Sequence, residues 1–305
     1  MIVVPVVAFG RWFVEAAQYL LRSLDSPGNL PDVASRLIVY TDTPEAFPGR
    51  EVVHLTPKEM QRRSGVRGSK HHLTSSCYAD ALALGHPIAP FAADMVCAAG
   101  TLAALNRLAA THRVVLAPVV RTVAQSMRAA LGDGPIALAP RELVALALQH
   151  LHPLQQKMYW ENLPSDMAPT TIFRRSGDTI SAHCFHIHPL LLRLEPGTPL
   201  SAGIDGELMA RMNPAECHLV TDSDELVVFD LTDAAYNWSS GFRKRFPPGD
   251  PVLHWVDVKA NRMHCWFFEH ECLIHAGEPE RPAPDASFEQ FRADVRALAK
   301  ARKGA

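Results

Sequence analysis

Apolar positions in this chain switch period repeatedly, with short continuous runs giving way to stretches in which every third or fourth residue is apolar. Ile2 to Ala8 is a strand-length apolar run, and from Trp12 to Leu24 the residues Phe13, Ala16, Ala17, Leu20, Leu21 and Leu24 fall at helical intervals. Arg36 to Asp42 reads as a second strand, closed by the turn residues Thr43-Pro44 and Pro48-Gly49, and Glu51 to Leu55 as a short third. Ser69 to Leu84 predicts a helix with Leu73, Cys77, Ala81 and Leu84 turned inward. Pro87 to Ala93 follows as a fourth strand ending at Asp94, then Thr101 to Ala110 as a helix and His112 to Val120 as a fifth strand. This alternation predicts an α/β fold on a mostly parallel, doubly wound sheet with helices on both faces.

The second half has a different texture. Arg121 to Leu131 and Pro140 to Leu151 read as helices, and Pro153 to Pro169, irregular and rich in Trp, Tyr, Asn and Pro, as a loop or lid crossing the sheet. Thr170 to Leu194 is β-like, Asp205 to Met212 a short helix and Cys217 to Leu231 strand again, before Pro247-Pro248-Gly249-Asp250 breaks the chain. From Phe288 onward, Phe291, Val295 and Leu298 share one face of a docking helix. The expected organisation is an α/β half over 1–135, a mixed α+β half of the same compact domain over 136–285, and a C-terminal helix over 286–305.

At 305 residues, 48% hydrophobic and 20% charged, the chain can bury a full core unaided. Its net charge of -2, with no long run of one sign, argues against a nucleic-acid surface or a polybasic membrane anchor and for a small-molecule partner. The cysteines 77, 97, 184, 217, 265 and 272 contain no C-x-x-C pair and read as reduced thiols of a cytoplasmic protein. The start, Met1 to Val7, lacks a basic leader and reads as a strand rather than a signal peptide, and no apolar run is long enough for a transmembrane segment.

Chemistry concentrates at a few points. Asp94 leaves a carboxylate where an apolar strand gives way to a loop, the edge at which α/β enzymes bind ligands; the other reading is a helix N-cap. In His183-Cys184-Phe185-His186-Ile187-His188-Pro189 a strand period of two puts Cys184, His186 and His188 on one face, alternate residues about 7 Å apart. That spacing suits two imidazoles on one divalent ion, or a polar strand face making ordinary hydrogen bonds. Thr221-Asp222-Ser223-Asp224-Glu225 sets three carboxylates between two apolar runs, as a hard-metal cluster or as a solvated acidic turn. Asp42 closes the second strand where a nucleotide fold offers an acid to a ribose hydroxyl, yet neither G-x-G-x-x-G nor a Walker pattern occurs. Among the basic residues of Lys58 to His72, including Arg62, Arg63, Arg67, Lys70, His71 and His72, one or two can meet a diphosphate. Asp80 faces either that ligand or solvent.

Phe9-Gly10-Arg11 after the first strand, Val39-Tyr40-Thr41-Asp42, the Tyr78-Ala79-Asp80-Ala81-Leu82 helix and the Asp94 strand end together resemble nucleotide-sugar glycosyltransferases of the A-type (GT-A) fold, over roughly the first 120 residues. The resemblance is one of layout. It implies a nucleoside-diphosphate sugar as donor, an acceptor that varies, and a divalent metal (Mn or Mg) held against the diphosphate by an Asp-x-Asp signature. Here Ala92-Ala93-Asp94-Met95-Val96 keeps one Asp. Either Asp94 holds the ion with His186 or His188, or a basic side chain supports the leaving group without a metal. The resemblance places Phe9, Arg11, Asp42, Lys70, Asp80 and Asp94 around the donor, assigns 1–135 to nucleotide-sugar binding and 136–285 to the acceptor and metal side, and leaves Asp222, Asp224 and Glu225 as candidate catalytic bases. Two other readings remain: a metal-dependent hydrolase using His186, His188 and Asp222 or Asp224, and a non-catalytic nucleotide-sugar-binding relative that has lost the metal signature.

Overall fold

The computed structural model describes residues 1–65, 69–163, 170–200, 203–236 and 262–301. Its first strands are β1 (Ile2–Ala8), β2 (Ser35–Thr41), β3 (Val52–His54), β4 (Met95–Cys97), β5 (Val114–Leu116) and β6 (Val120–Val123). They are followed by β7 (Thr171–Ser176), β8 (Thr179–Cys184), β9 (Pro189–Leu192), β10 (Cys217–Leu219), β11 (Val228–Thr232) and β12 (Cys272–His275). The N-terminal helices are α1 (Gly10–Leu24), α2 (Pro57–Ser64), α3 (Lys70–Leu82), α4 (Thr101–Leu108), α5 (Ala124–Leu131) and α6 (Pro140–Gln149).

All seven residues of β1 are buried, as a strand covered on both faces requires, and β1, β2 and β3 pair in parallel in that order. On the other side of β1 the segment 87–92 runs parallel to it through the bridges Val3–Ile88 and Val7–Ala92. Ile88 also bridges Leu192 in the antiparallel sense, and β9 pairs antiparallel with β5, which pairs in parallel with β10. One layer results, in the order β3, β2, β1, 87–92, β9, β5, β10. A second sheet sets β11 between β4, antiparallel, and β6, parallel; a third is antiparallel, with β8 between β7 and β12.

The fold is therefore mixed α/β rather than a mostly parallel doubly wound sheet. The difference arises in Thr170 to Leu194, where β7 and β8 are joined by a two-residue turn and β9 returns against its neighbours, so strand sense there follows tight turns, not helical crossovers. Segment 87–92 bridges its neighbours only at isolated points because Pro87 and Pro90 have no N–H to extend the ladder. Helix α2, absent from the hydrophobic pattern because none of its residues is buried, is started by a capping box between Thr56 and Glu59. Arg121 belongs to β6 instead of opening the next helix, and Leu84, expected inward, is 39% exposed beyond the end of α3. The Pro247 to Asp250 break lies outside the described residues, as does the end of the Pro153 to Pro169 stretch, whose start contains short helical turns at Pro153–Gln156 and Trp160–Asn162.

One apolar cluster runs from Val3 to Ile274 and draws on both halves of the chain. A smaller one joins the final helix, Ala286–Ala301, to Ile172, Phe185 and Phe268 through Phe288, Phe291 and Val295, as its apolar stripe predicts. Burying each such side chain contributes about 1.5–3 kcal/mol. All six cysteines are buried and none is joined in a disulfide, and among the described residues no helix is long and apolar enough to cross a membrane.

Candidate functional site

A cavity of about 890 Å³ opens where β1 and 87–92 end, lined there by Val7, Phe9, Ala92, Ala93 and Asp94. The chain leaves β1 for β2 on one side while 87–92 flanks it on the other, so the cavity occupies a switch point at the carboxyl ends of strands, where open α/β layers leave a crevice. Its volume lies in the range of small-molecule sites.

Asp94 is not a helix cap. It is followed by β4, and the next helix, α4, starts behind Gly100. The Asp94 carbonyl accepts from Leu231 N at 2.7 Å, which ties it to β11, where Asp230 stands opposite Met95 and in register with Arg121 of β6. Asp94, in the turn before β4, thus reaches the cavity beside Asp230 of β11 and Arg121 of β6. Loss of water around Asp94, with the charge of Asp230 beside it, raises its carboxyl to about 7 against the opposing pull of Arg121 and His188. Burial likewise raises Asp230, although Arg121 Nη1 lies 3.9 Å from its Oδ2.

The histidines arrive without a strand. Strand β8 stops at Cys184, and both His186 and His188 line the cavity from the connection to β9. His188 Nε2 donates to Pro90 O at 2.7 Å, which fixes the ring against the end of segment 87–92. Burial holds His186 below the ordinary imidazole range, and its Nε2 lies 3.6 Å from Asp205 Oδ2. Burial works against Asp205 ionising, but His186 and His188 draw it below the usual carboxylate value. His183, buried elsewhere, donates Nδ1–H to Phe268 O at 2.9 Å and is pushed down to about 4 by desolvation.

Positive charge comes from α3. Lys70 and His71 form its first turn, which contains no acidic residue, and both line the cavity, so the Lys70 ammonium reinforces the positive end of the helix dipole. Lys70 Nζ sits 5.9 Å from the centre of the Phe13 ring, and Phe9, Trp12 and Tyr78 add aromatic surface. Tyr78 is buried and its hydroxyl donates to Phe91 O at 3.3 Å.

Of the residues marked out from sequence, Phe9, Lys70, His71, Asp94, His186 and His188 meet in this cavity, and Arg67 lies outside the described residues. Arg11, Asp42, Asp80, Asp222, Asp224 and Glu225 have different partners and are not among its lining residues. Arg11 is exposed and pairs with Glu15 at 2.7 Å. Both oxygens of Asp42 accept from Gly10 N, at 3.1 and 3.2 Å, so this acid closes the start of α1 rather than waiting for a ribose. Asp80 pairs with Arg63 at 2.6 Å. Asp222 bonds His275 Nε2 at 2.9 Å, Asp224 is held by Arg141 at 2.8 Å, and Glu225 meets His218 at 2.8 Å and Arg107 at 3.3 Å. Asp230, Arg121, Gln155 and Asp205 were not singled out. For Asp230 the signal was present: a lone acid within Val227-Val228-Phe229-Asp230-Leu231, the same reasoning that selected Asp94.

Among the described residues only Asp222, Asp224 and His275 bring three metal-type ligand atoms within 4.8 Å of one another. Each already has a partner there: Arg141 holds Asp224, and His275 uses both nitrogens, on Asp222 and on Gly277 O at 2.6 Å. Asp94, His186 and His188 share the cavity without forming such a set, so these side chains do not fit an ion held by three protein ligands. Nor do His186 and His188 share a site with Asp222 or Asp224, which removes the ligand set expected for a hydrolase.

No family model matches the chain, and no curated protein or solved structure is detectably similar to it.

Proposed function

We propose that the chain transfers a glycosyl group from a nucleoside-diphosphate sugar to an acceptor hydroxyl, through a layer of the A-type glycosyltransferase kind. The observation that carries this reading is one switch-point cavity combining a cationic helix start, Lys70 and His71 on α3, with a desolvated carboxylate pair, Asp94 and Asp230. A reaction in which a diphosphate departs and an oxocarbenium-like centre develops needs charge of both signs in one water-poor pocket.

The Lys70 ammonium, the His71 ring and the α3 dipole meet the leaving diphosphate and stabilise the charge it gains as the anomeric C–O bond breaks. The electron pair of that bond leaves with the nucleoside diphosphate. Asp94, with a carboxyl at about 7, takes the proton from the acceptor hydroxyl as its oxygen forms the new bond to the anomeric carbon. That base role moves to Asp94 from Asp222, Asp224 and Glu225, which are already paired. Among the described residues the cavity side chains form no three-ligand ion site, so the departing diphosphate is met by Lys70 and the start of α3.

The test is thermal unfolding of the full chain with UDP, GDP, CDP, ADP and dTDP, each with and without Mn, followed by assay of diphosphate release from the matching sugar nucleotides. A bound nucleotide at one hundred times its dissociation constant stabilises the folded chain by about 2.7 kcal/mol, and Lys70→Ala should weaken that response. If none of the nucleotides raises the unfolding midpoint in either condition, the reading fails. Binding without turnover would identify a non-catalytic relative.

A further inference from the structure

The turn between β10 and β11 is stitched along β12. Leu273 N donates to Thr221 O at 2.8 Å, Ser223 N donates to Leu273 O at 2.9 Å, and His275 N donates to the buried Ser223 Oγ at 3.1 Å. These bonds hold Asp222 and Asp224 beside the His275 ring, and one oxygen of each acid and a ring nitrogen lie within 4.8 Å of one another. Both acids are partly open to water, whereas the ring is fully buried.

The surroundings of His275 set its tautomer. Gly277 O can only accept, so Nδ1, 2.6 Å away, carries the hydrogen. In the neutral ring Nε2 is then a bare lone pair, and the group it meets is a carboxylate oxygen, Asp222 Oδ1 at 2.9 Å, which is also an acceptor. Two acceptors so close repel unless something positive lies between them. A proton would serve, at the cost of a charged imidazole shut away from water. A metal ion serves with the ring neutral and gives Asp224 a second partner besides Arg141. Imidazole bound through one nitrogen, with the other N–H on a backbone carbonyl, is also how metal-held histidines are ordinarily oriented. The local charge agrees: Asp222, Asp224 and Glu278 outweigh Arg141 by two, the charge of a divalent ion, while Glu225 is matched by Arg107.

The geometry points to a structural site for a divalent transition metal, formed by His275 Nε2 with carboxylate oxygens of Asp222 and Asp224. None of these residues lines the cavity, so the site is separate from the one described above. By tying the turn to β12, the ion joins the layer of β10, the sheet of β11 and the sheet of β12. A nitrogen beside two carboxylates suits zinc or manganese better than calcium or magnesium, which take oxygen ligands. Arg141 bonds both oxygens of Asp224 and opposes the ion by its charge.

The experiment strips the untagged full chain with EDTA, then titrates it with zinc chloride or manganese chloride alone, counting bound metal per chain and following the unfolding midpoint. Wild type should take up one ion of at least one of these metals, with a rise in midpoint. Asp222→Asn and Asp224→Asn, which keep the side-chain size and leave His275 in place, should each weaken uptake about tenfold or more, since even outer partners of metal ligands are worth that much. Arg141→Ala should tighten it, and His186→Ala, a change in the cavity, should leave it as in wild type. The site is overturned if no ion binds the wild type, or if folded Asp222→Asn and Asp224→Asn chains bind as wild type does; the contact of His275 with Asp222 is then bridged by a proton only. Uptake lost in His186→Ala but kept in Asp222→Asn would put the ion in the cavity and overturn it as well. Nucleotide plays no part in these measurements, so the metal site and the transfer reading stand or fall separately.

Discussion

Two acidic neighbourhoods in this protein, one a run in a turn and one assembled from lone acids of separate segments, behave in opposite ways. In the turn 222–225 every carboxylate has a partner: Asp222 has His275, Asp224 has Arg141, which also holds Glu278 at 2.9 Å, and Glu225 has His218. Arg141 accordingly draws Asp224 below the usual carboxylate range. In the cavity Asp94 and Asp230 lose water and repel each other, and the pull of Arg121, 3.9 Å from Asp230, does not offset this, so both are pushed up. A run of acids in a turn is readily satisfied by chain neighbours and surface cations, whereas a single acid at a buried strand end depends on what the fold brings opposite it. Density of charge in the sequence is thus a poor guide to reactivity, and isolation of a charge in apolar surroundings is a better one.

The sharpest way to break this comparison is to remove one acid from each place. Asp94→Asn should lower turnover of the matching sugar nucleotide by about 10²–10⁴-fold, the span of general-base catalysis, while Asp224→Asn should leave it within about twofold. Equal losses in steady-state assays would end the distinction. The next effect is on stability and lies on the turn side. His275 is fully buried with both ring nitrogens bonded, so His275→Ala should cost about 2–4 kcal/mol in denaturant unfolding, with loss of packing and of two hydrogen bonds combined. A change below about 1 kcal/mol would show that the cluster is loosely held.

The pH dependence sharpens the contrast further. Because the folded-state value of Asp94 is raised, to about 7 from 3.8, the folded chain holds a proton that the unfolded chain releases across that interval. This contribution to stability is therefore present below the unfolded value and lost as pH climbs toward 7. Asp94→Asn should remove that slope and be more stable than wild type at pH 8, as read by unfolding midpoints at several pH values. The ratio kcat/KM should fall below about pH 7 in the wild type as the base becomes protonated. A profile flat through that range argues against Asp94 as base. The smallest effect belongs to Arg141→Ala: the ion pairs it removes are exposed, so the unfolding midpoint should barely move, most visibly at low salt.

Much of the fold was legible along the chain because its causes are local. The all-apolar run at β1, the helical spacing of α1 and the stripe of Phe288, Phe291 and Val295 each report burial through a period of two or 3.6, and they became the expected elements. Helix α2 escaped because it buries no face, and Arg121 was misread because four residues of β6 run directly into α5. The site was half legible. Asp94, Lys70, His186 and His188 could be picked as chemical types at telling positions, though the two histidines reach the cavity from a loop and not from the strand face their spacing suggested.

The sequence by itself determined where apolar runs begin and end, and so which acids and bases stand at the ends of buried elements. Only the tertiary structure decided which of them meet. Strand pairing set Asp230 beside Arg121 and across from the Asp94 strand, gave Asp42 to Gly10 and matched Asp222 with His275, over separations of tens of residues. Register and sheet order follow from packing summed over the whole core, and no local pattern of residues encodes them.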